Sequence, residues 1–428
     1  MNAPEPGSAR RHANRTTSVS TRRYWWSADP GHECPAATAA GLLVAGKNWT
    51  EAVQTAEQAL ASPVCRESAL CMSRALGTLV CAGELVAADE YSLAVLEESP
   101  GDHVMAEHVL LARAGVARRT GDLARFSSLL DVLRDNGKVD EIRPVALLWT
   151  VELLVARGDR CGAEAALLAH EADTMIDARH PGRPLLLAAR AAVAMAVDRP
   201  HDALSDHLAC GQALAEAGVG NPAVLPWRSQ AARAALACGD TGRAVHLAIE
   251  EHTAAARWGE PRTLGWSLSA VAGASPPNGE DLLTYERAIR LLELAHARME
   301  LAEVFCDYGD RLTAHGKQVA AREIYARARA TALDVGHAVL VRRVEEAMGG
   351  VAASPDLEPV LTSVEAEVAR LVRTGLNNRE IAAKLAMATR TVELHLTRVY
   401  RKLGLSGRRE LQVTRWARLP ATSADPWP

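Results

Sequence analysis

The chain has 428 residues, too many for one small domain and enough for two or three. Hydrophobic residues make up 48% and charged ones 23%, which excludes a chain disordered throughout, and aromatics at only 4% beside abundant Ala and Leu favour helices over sheet. The net charge of −4 selects no partner, but 361–420 hold twelve basic against five acidic residues while the remainder holds 36 against 47, as when one end of a chain meets nucleic acid.

The first 35 residues carry Arg10, Arg11, Arg15, Arg22 and Arg23 without the apolar core of a signal peptide. A disordered basic tail is expected at 1–35, with a transit peptide as the alternative. No apolar run approaches the roughly 18 residues of a membrane span, so a cytoplasmic protein with no membrane partner is expected. The eight cysteines are scattered singly, with no CxxC pair and no Cys/His cluster at metal spacing. Reduced thiols are expected, and neither a metal nor a cofactor.

From 36 to 348 the chain repeats. A Gly followed by a polar residue recurs at Gly46-Lys47, Gly83-Glu84, Gly121-Asp122, Gly158-Asp159, Gly239-Asp240, Gly279-Glu280 and Gly316-Lys317, and Asp198-Arg199-Pro200 fills the one gap. The steps of 37 to 41 residues each hold two helices of about 15 residues and two short turns. The Gly is expected to be the left-handed C-cap between the two helices. Ile289, Leu292, Leu294, Ala295, Met299, Leu301 and Ala302 are expected to cover one helical face. This predicts a tetratricopeptide-like solenoid, a surface that binds an unknown ligand or protein or serves as a merely structural stack.

Gly41-Leu42-Leu43-Val44-Ala45-Gly46-Lys47-Asn48 comes within one residue of the phosphate-loop pattern GxxxxGK[ST]. Asn48 stands where the magnesium-binding Ser or Thr belongs, no strand precedes it, and Gly46 falls on the repeat register. A helix and a repeat turn are expected here, not a nucleotide site. No GxSxG, HExxH or GxGxxG motif appears, and an enzyme is not expected.

Gly349 to Pro355 reads as a linker, with 349–358 separating the repeats from a second domain at 359–419 and a disordered tail at 420–428. In that domain Thr362 and Glu365 form a capping box. Val364, Val368, Leu371 and Val372 make one apolar stripe, and Gly375 ends the helix. Asn377 caps a second, short helix with Glu380 in the reciprocal position and Ile381, Ala382 and Leu385 on its buried face. Thr389 to Leu403 reads as a third helix. Its Val392, Leu396, Val399 and Leu403 are expected to point inward, and Arg390, Glu393, Thr397, Arg398, Arg401 and Lys402 outward. Ser406 caps a fourth helix with Leu411 on its apolar side. A short helix, a tight turn and a longer helix with a basic outer face are the parts of a DNA-reading helix-turn-helix.

The run Leu361-Thr362, Glu365, Glu367-Val368, Gly375-Leu376, Asn378-Arg379-Glu380-Ile381-Ala382, Leu385, Thr391-Val392, His395-Leu396 and Val399-Tyr400-Arg401-Lys402-Leu403 closely resembles the LuxR-type helix-turn-helix. More weakly, Asn221 to Arg228 and Arg257 to Arg262 resemble the helical-repeat region of the large ATP-binding LuxR regulators, here without their ATPase domain. The fold expected is therefore all-α, a tetratricopeptide-like solenoid followed by a four-helix LuxR-type domain. The resemblance implies base contacts by Glu393, Leu394 and Thr397, and phosphate contacts by Thr391, His395, Arg398 and Lys402, with Thr389, Arg390 and Arg401 completing the DNA-facing set. Glu393 would accept from a cytosine amino group or else stay solvated beside Arg390 or Thr397. His395 would meet the phosphate edge or else pack as an uncharged ring. Ala388 stands where many relatives place a capping Ser, a loss of roughly 1 kcal/mol unless Thr389 takes over.

The function implied is a transcription regulator, an activator, dimeric on double-stranded DNA through 406–416, with RNA polymerase a candidate partner. The alternatives are an interaction scaffold with an accessory C-terminal module and an ATP-dependent switch.

Overall fold

The computed structural model describes 34–98, 101–137, 139–178, 180–353, 363–385, 387–403, 405 and 407–413. Among the described residues every regular element is a helix. The basic tail expected at 1–35 lies outside them up to residue 33, as do 354–362 and everything after 413.

The repeats begin with α1 (Pro35–Ala45) and α2 (Trp49–Ala61), followed by a one-turn insertion, α3 (Pro63–Arg66). Then come α4 (Ala69–Ala82) with α5 (Leu85–Glu98), α6 (His103–Thr120) with α7 (Leu123–Asn136), and α8 (Arg143–Arg157) with α9 (Arg160–Ala169). A second short insertion, α10 (Ala172–Asp177), precedes α11 (Arg183–Ala196) with α12 (Pro200–Glu216) and α13 (Trp227–Ala237) with α14 (Thr241–Trp258). The last pairs are α15 (Pro261–Ala274) with α16 (Glu280–Leu294) and α17 (Arg298–Ala314) with α18 (Gln318–Asp334), and α19 (Ala338–Ala353) closes the stack. This is a tetratricopeptide-like helical repeat of eight hairpins.

All seven repeat glycines have positive φ, and Asp198, which replaces glycine in the fifth hairpin, takes the same left-handed conformation at φ 58°. Asp tolerates that region better than most residues because its short side chain can bond locally. Gly279 departs from the expected role: α15 already ends at an extended Ser275, and Gly279 is the N-cap of α16. The turn at Gly121 is a double cap. The amides of Gly121 and Asp122 return to the carbonyls of Arg118 and Ala117, closing α6. The Asp122 carboxylate then accepts from the amide of Arg125, opening α7 at 3.0 Å. Asp159 and Asp240 repeat the arrangement at 2.8 and 3.0 Å. The polar residue after each glycine is thus the N-cap of the next helix in these three hairpins.

Glycine at these turns has a second cause, because the superhelix closes onto itself. A Cβ on Gly46 would meet the Asn221 side chain at 3.3 Å, and one on Gly121 would meet Val335 at 3.0 Å. Gly83 likewise faces Glu260, and Gly158 faces Val339. Gly46–Asn221, Gly83–Glu260 and Gly158–Val339 join residues 175 to 181 apart in sequence and Gly121–Val335 residues 214 apart, between four and six repeats, so successive superhelical turns lie against one another. Asn221 seals one such contact, its side-chain amide donating to the carbonyl of Leu43 at 2.8 Å while Gly220 donates to Val44 at 2.9 Å. Leu43, Ala52, Cys81, Ala82, Ala223 and Trp258 form a core cluster that spans this junction.

Gly41 to Asn48, the phosphate-loop lookalike, is the end of α1 and its turn, with Leu43 fully buried. Two expectations need correction. Ile289 to Ala302 does not cover one face of one helix: His296, at φ 51°, breaks it into α16 and α17, and Leu294 is 69% exposed. The linker does not begin at Gly349, because α19 continues through Gly349 and Gly350 to Ala353. Each glycine costs a helix about 1 kcal/mol relative to Ala, too little to stop one flanked by Met348 and Val351-Ala352-Ala353. By internal contacts the chain divides after Met348 into two units.

Candidate nucleic-acid interface

The second unit contains α20 (Ser363–Arg373), α21 (Asn378–Lys384), α22 (Thr389–Leu403) and α23 (Arg408–Val413). Gly375, at φ 89°, ends α20 as expected, with the amides of Gly375 and Leu376 returning to the carbonyls of Val372 and Leu371. The Asn377 side chain accepts from the amides of Arg379 and Glu380 at 3.0 Å, and the Glu380 carboxylate accepts from the Asn377 amide at 2.7 Å. Both halves of that capping box are present. The box expected at α20 cannot be compared, since Thr362 lies outside the described residues.

The core of this unit is Val368, Leu371, Val372, Ile381, Ala382, Val392, Leu396, Val399 and Leu411, with Leu385 packed against it. Val364, expected in the stripe, is instead 40% exposed. Arg408 ties the unit together from the far side, donating to the Asn378 side chain at 2.8 Å and to the carbonyl of Leu376.

With Val392, Leu396 and Val399 anchored inward, the opposite side of α22 is fixed outward. Arg390, Glu393, Leu394, Thr397 and Arg398 are exposed, and Thr389, Thr391 and His395 are half-buried. Arg401 and Lys402 belong to the last turn of α22, and their side chains, like that of Leu403, lie outside the description. Ser406 and Trp416 also lie outside it. The Thr397 hydroxyl donates to the backbone carbonyl of Glu393 at 2.9 Å, which leaves its lone pairs facing out. His395 keeps Nδ1 buried without a hydrogen-bond partner. The carbonyl of Ala388 accepts from Thr391 and Val392 at 2.9 and 3.2 Å, so backbone bonds begin α22 where relatives would place a Ser.

The repeats hold a separate cavity of about 380 Å³, lined among others by Arg233 of α13, Trp266 of α15, Tyr285 of α16, Asp307 and Asp310 of α17 and Arg343 of α19. Arg233 pairs with Asp307 at 3.2 Å, and Arg343 pairs with Asp307 at 2.9 Å and with Asp310. Ser229 and Trp266 also line it, with the Trp266 indole nitrogen buried and the Ser229 side chain beside the Glu251 carboxylate. Sequence reading missed the cavity because its residues come from five helices over more than 100 positions.

Behind Ser229 lies Glu251, fully buried on α14, its carboxylate accepting from the Ser229 amide at 3.2 Å. Burial pushes its carboxyl up to about 7, against the pull of the Ser229 amide and Arg228. A raised acid stays protonated in the fold while it ionises in the unfolded chain. Stability is therefore expected to fall as pH rises from about 4.5 to 7 and to level off above. Glu251→Gln, neutral and nearly isosteric, should flatten that slope and raise stability at pH 8 by up to about 3 kcal/mol. Urea midpoints at pH 5 and 8 check this, and an unchanged slope in the variant would contradict it.

A four-helix unit in which a short capped helix is followed by a tight turn and a longer helix, with polar and cationic groups on the outer face of the longer one, contains a helix-turn-helix. The profile of the luxR family of bacterial regulatory proteins matches 359–415. The chain thus carries a LuxR-family helix-turn-helix domain at its C-terminus. It is also 30% identical, over 277 residues, to proteins of Mycobacterium bovis and Mycobacterium tuberculosis whose names describe HTH-type transcriptional regulators. That alignment takes in 58% of this chain, more than the helix-turn-helix alone, and 29% of the relatives' length. The chain therefore spans under a third of the curated relatives it matches. Among solved structures, a Rap protein complexed with competence and sporulation factor aligns at 12% identity and a TM-score of 0.36, over 67% of this chain and 98% of that one.

Proposed function

We propose that this chain is a sequence-specific DNA-binding transcription regulator, an activator, whose repeats at 36–348 receive the input and whose domain at 359–419 reads double-stranded DNA. The observation that carries it is α22, anchored by Val392, Leu396 and Val399 with Arg390, Glu393, Leu394, Thr397 and Arg398 displayed on its outer side. Glu393, Leu394 and Thr397 reach base edges. Thr389, Arg390, Thr391, His395, Arg398, Arg401 and Lys402 hold phosphates and set the register of the helix in the groove. The LuxR-family match over 359–415 supports the same assignment. Two copies pair through 406–416 and place their recognition helices in major grooves about 34 Å apart.

The cavity of about 380 Å³ supports a small-molecule input over a purely structural stack, because charged and aromatic side chains, among them Arg233, Trp266, Asp307 and Arg343, converge on it from separate helices. The test is binding of the full chain to promoter fragments across a salt series. Tight binding to one fragment, weakening steeply with salt and giving a two-half-site footprint, is expected, with transcription from that fragment raised on adding RNA polymerase. Binding no better than to random DNA, by the full chain and by 355–428 alike, would sink the reading.

A further inference from the structure

The sequence places Cys34, Cys65 and Cys71 31 and six residues apart, spacings that match no metal motif. The fold brings them together. Cys34 is the N-cap of α1, Cys65 sits in the inserted turn α3, and Cys71 lies in the first turn of α4. Their three Sγ atoms all lie within 4.8 Å of one another, and those of Cys34 and Cys71 are 3.8 Å apart. The expectation of thiols scattered singly is thereby corrected: separate elements deliver them, and local spacing could not have shown it.

We propose that these three thiols form a binding site for one soft, thiophilic d10 metal ion of the zinc and cadmium class. Thiolate sulfurs bound to zinc at about 2.3 Å in tetrahedral geometry stand about 3.8 Å apart, the separation already present between Cys34 and Cys71. Closing the triad on an ion thus requires a movement of 1 Å or less. Among the described residues the group offers three sulfurs and no oxygen or imidazole donor, a set that selects soft ions over magnesium or calcium. The fourth position is left to water or an exogenous ligand. Cys65 is buried, but Cys34 and Cys71 are half-buried, so an ion can enter from their side. Packing alone does not require this arrangement, since small hydrophobes would fill the same space without a second and third sulfur.

The bound ion would join the start of α1 to α3 and α4. The site is independent of the DNA-binding reading, and its test measures metal alone. Full-length protein, kept reduced, is titrated with Cd(II) and then Zn(II) in the presence of a competing chelator. The expected result is one Cd(II) per chain, with thiolate-to-metal charge-transfer absorption in the near ultraviolet. In the folded protein the metal should protect Cys34 and Cys71, the half-buried thiols of the triad, from a thiol reagent that reaches them in the folded apoprotein. Cys34→Ser and Cys71→Ser should each lower affinity at least about 100-fold, while Cys161→Ser, an exposed thiol on α9, should leave it unchanged. Circular dichroism of each variant separates loss of the site from loss of the fold. Equal stoichiometric binding by the Cys34→Ser/Cys71→Ser double variant, or no binding by a folded wild-type chain tighter than about 10 µM, would overturn the proposal.

Discussion

Trp258→Ala is expected to destabilise the repeat unit by about 3 to 5 kcal/mol, the range for truncating a buried Trp or Phe. Trp258 ends α14 and is 2% exposed, packed with Leu43, Ala52, Cys81, Ala82 and Ala223. Its partners belong to α1, α2, α4 and the segment before α13, so the cavity opens between two superhelical turns and not within one hairpin. In an open solenoid each repeat touches only its neighbours, and damage stays local. Here hydrogen exchange should quicken together in 36–60 and 220–260. Acceleration confined to α13–α15 would mean that the turn-on-turn contact contributes little. Trp258→Phe supplies the control. The indole nitrogen is buried without a partner, so Phe removes an unsatisfied donor while keeping most of the packing, and its cost should be near 1 kcal/mol or less.

That contact also shows where sequence reading stopped. The repeat was legible because Gly in a left-handed cap is a backbone requirement that recurs at fixed intervals, and Asp198 could be recognised as its substitute. The segments at Asn221 and Arg257 to Arg262 were conspicuous only by resemblance. Their physical purpose is long-range. Asn221 caps a carbonyl 178 residues away. Glu260 both opens α15, accepting from the amides of Arg262 and Thr263 at 3.0 and 2.8 Å, and abuts Gly83. No periodicity encodes such pairings. The Cys34, Cys65 and Cys71 cluster and the cavity at Trp266 escaped for the same reason.

In the helix-turn-helix the balance is reversed, because its determinants are local. Asn377 and Glu380 are three residues apart, and the capping box they form needs nothing from the rest of the chain. The inward stripe of α22 was legible from spacing three and four, and it fixes the outward set by exclusion. Val364 and Leu294 went wrong because amphipathic spacing gives a face but not which residues of that face a neighbouring element covers.

The outward set leads to the largest effect expected on DNA. Arg398→Ala with Lys402→Ala removes two cations one turn apart on α22 while leaving Val392, Leu396 and Val399 in place. If each neutralises one phosphate, the slope of log affinity against log salt should become shallower by about 1.8. At 0.15 M salt, counterion release alone then predicts a loss of roughly 30-fold, the same for the best fragment and for random DNA. Glu393→Ala should behave differently. It removes a negative charge from the groove, so non-specific binding should hold or strengthen while discrimination at one base pair falls by about 1 to 3 kcal/mol. The two outcomes separate phosphate positioning from base reading on a single helix. If the double variant instead lost specificity at an unchanged salt slope, Arg398 and Lys402 would be reading bases, and the face of α22 turned to the groove would have to be rotated accordingly.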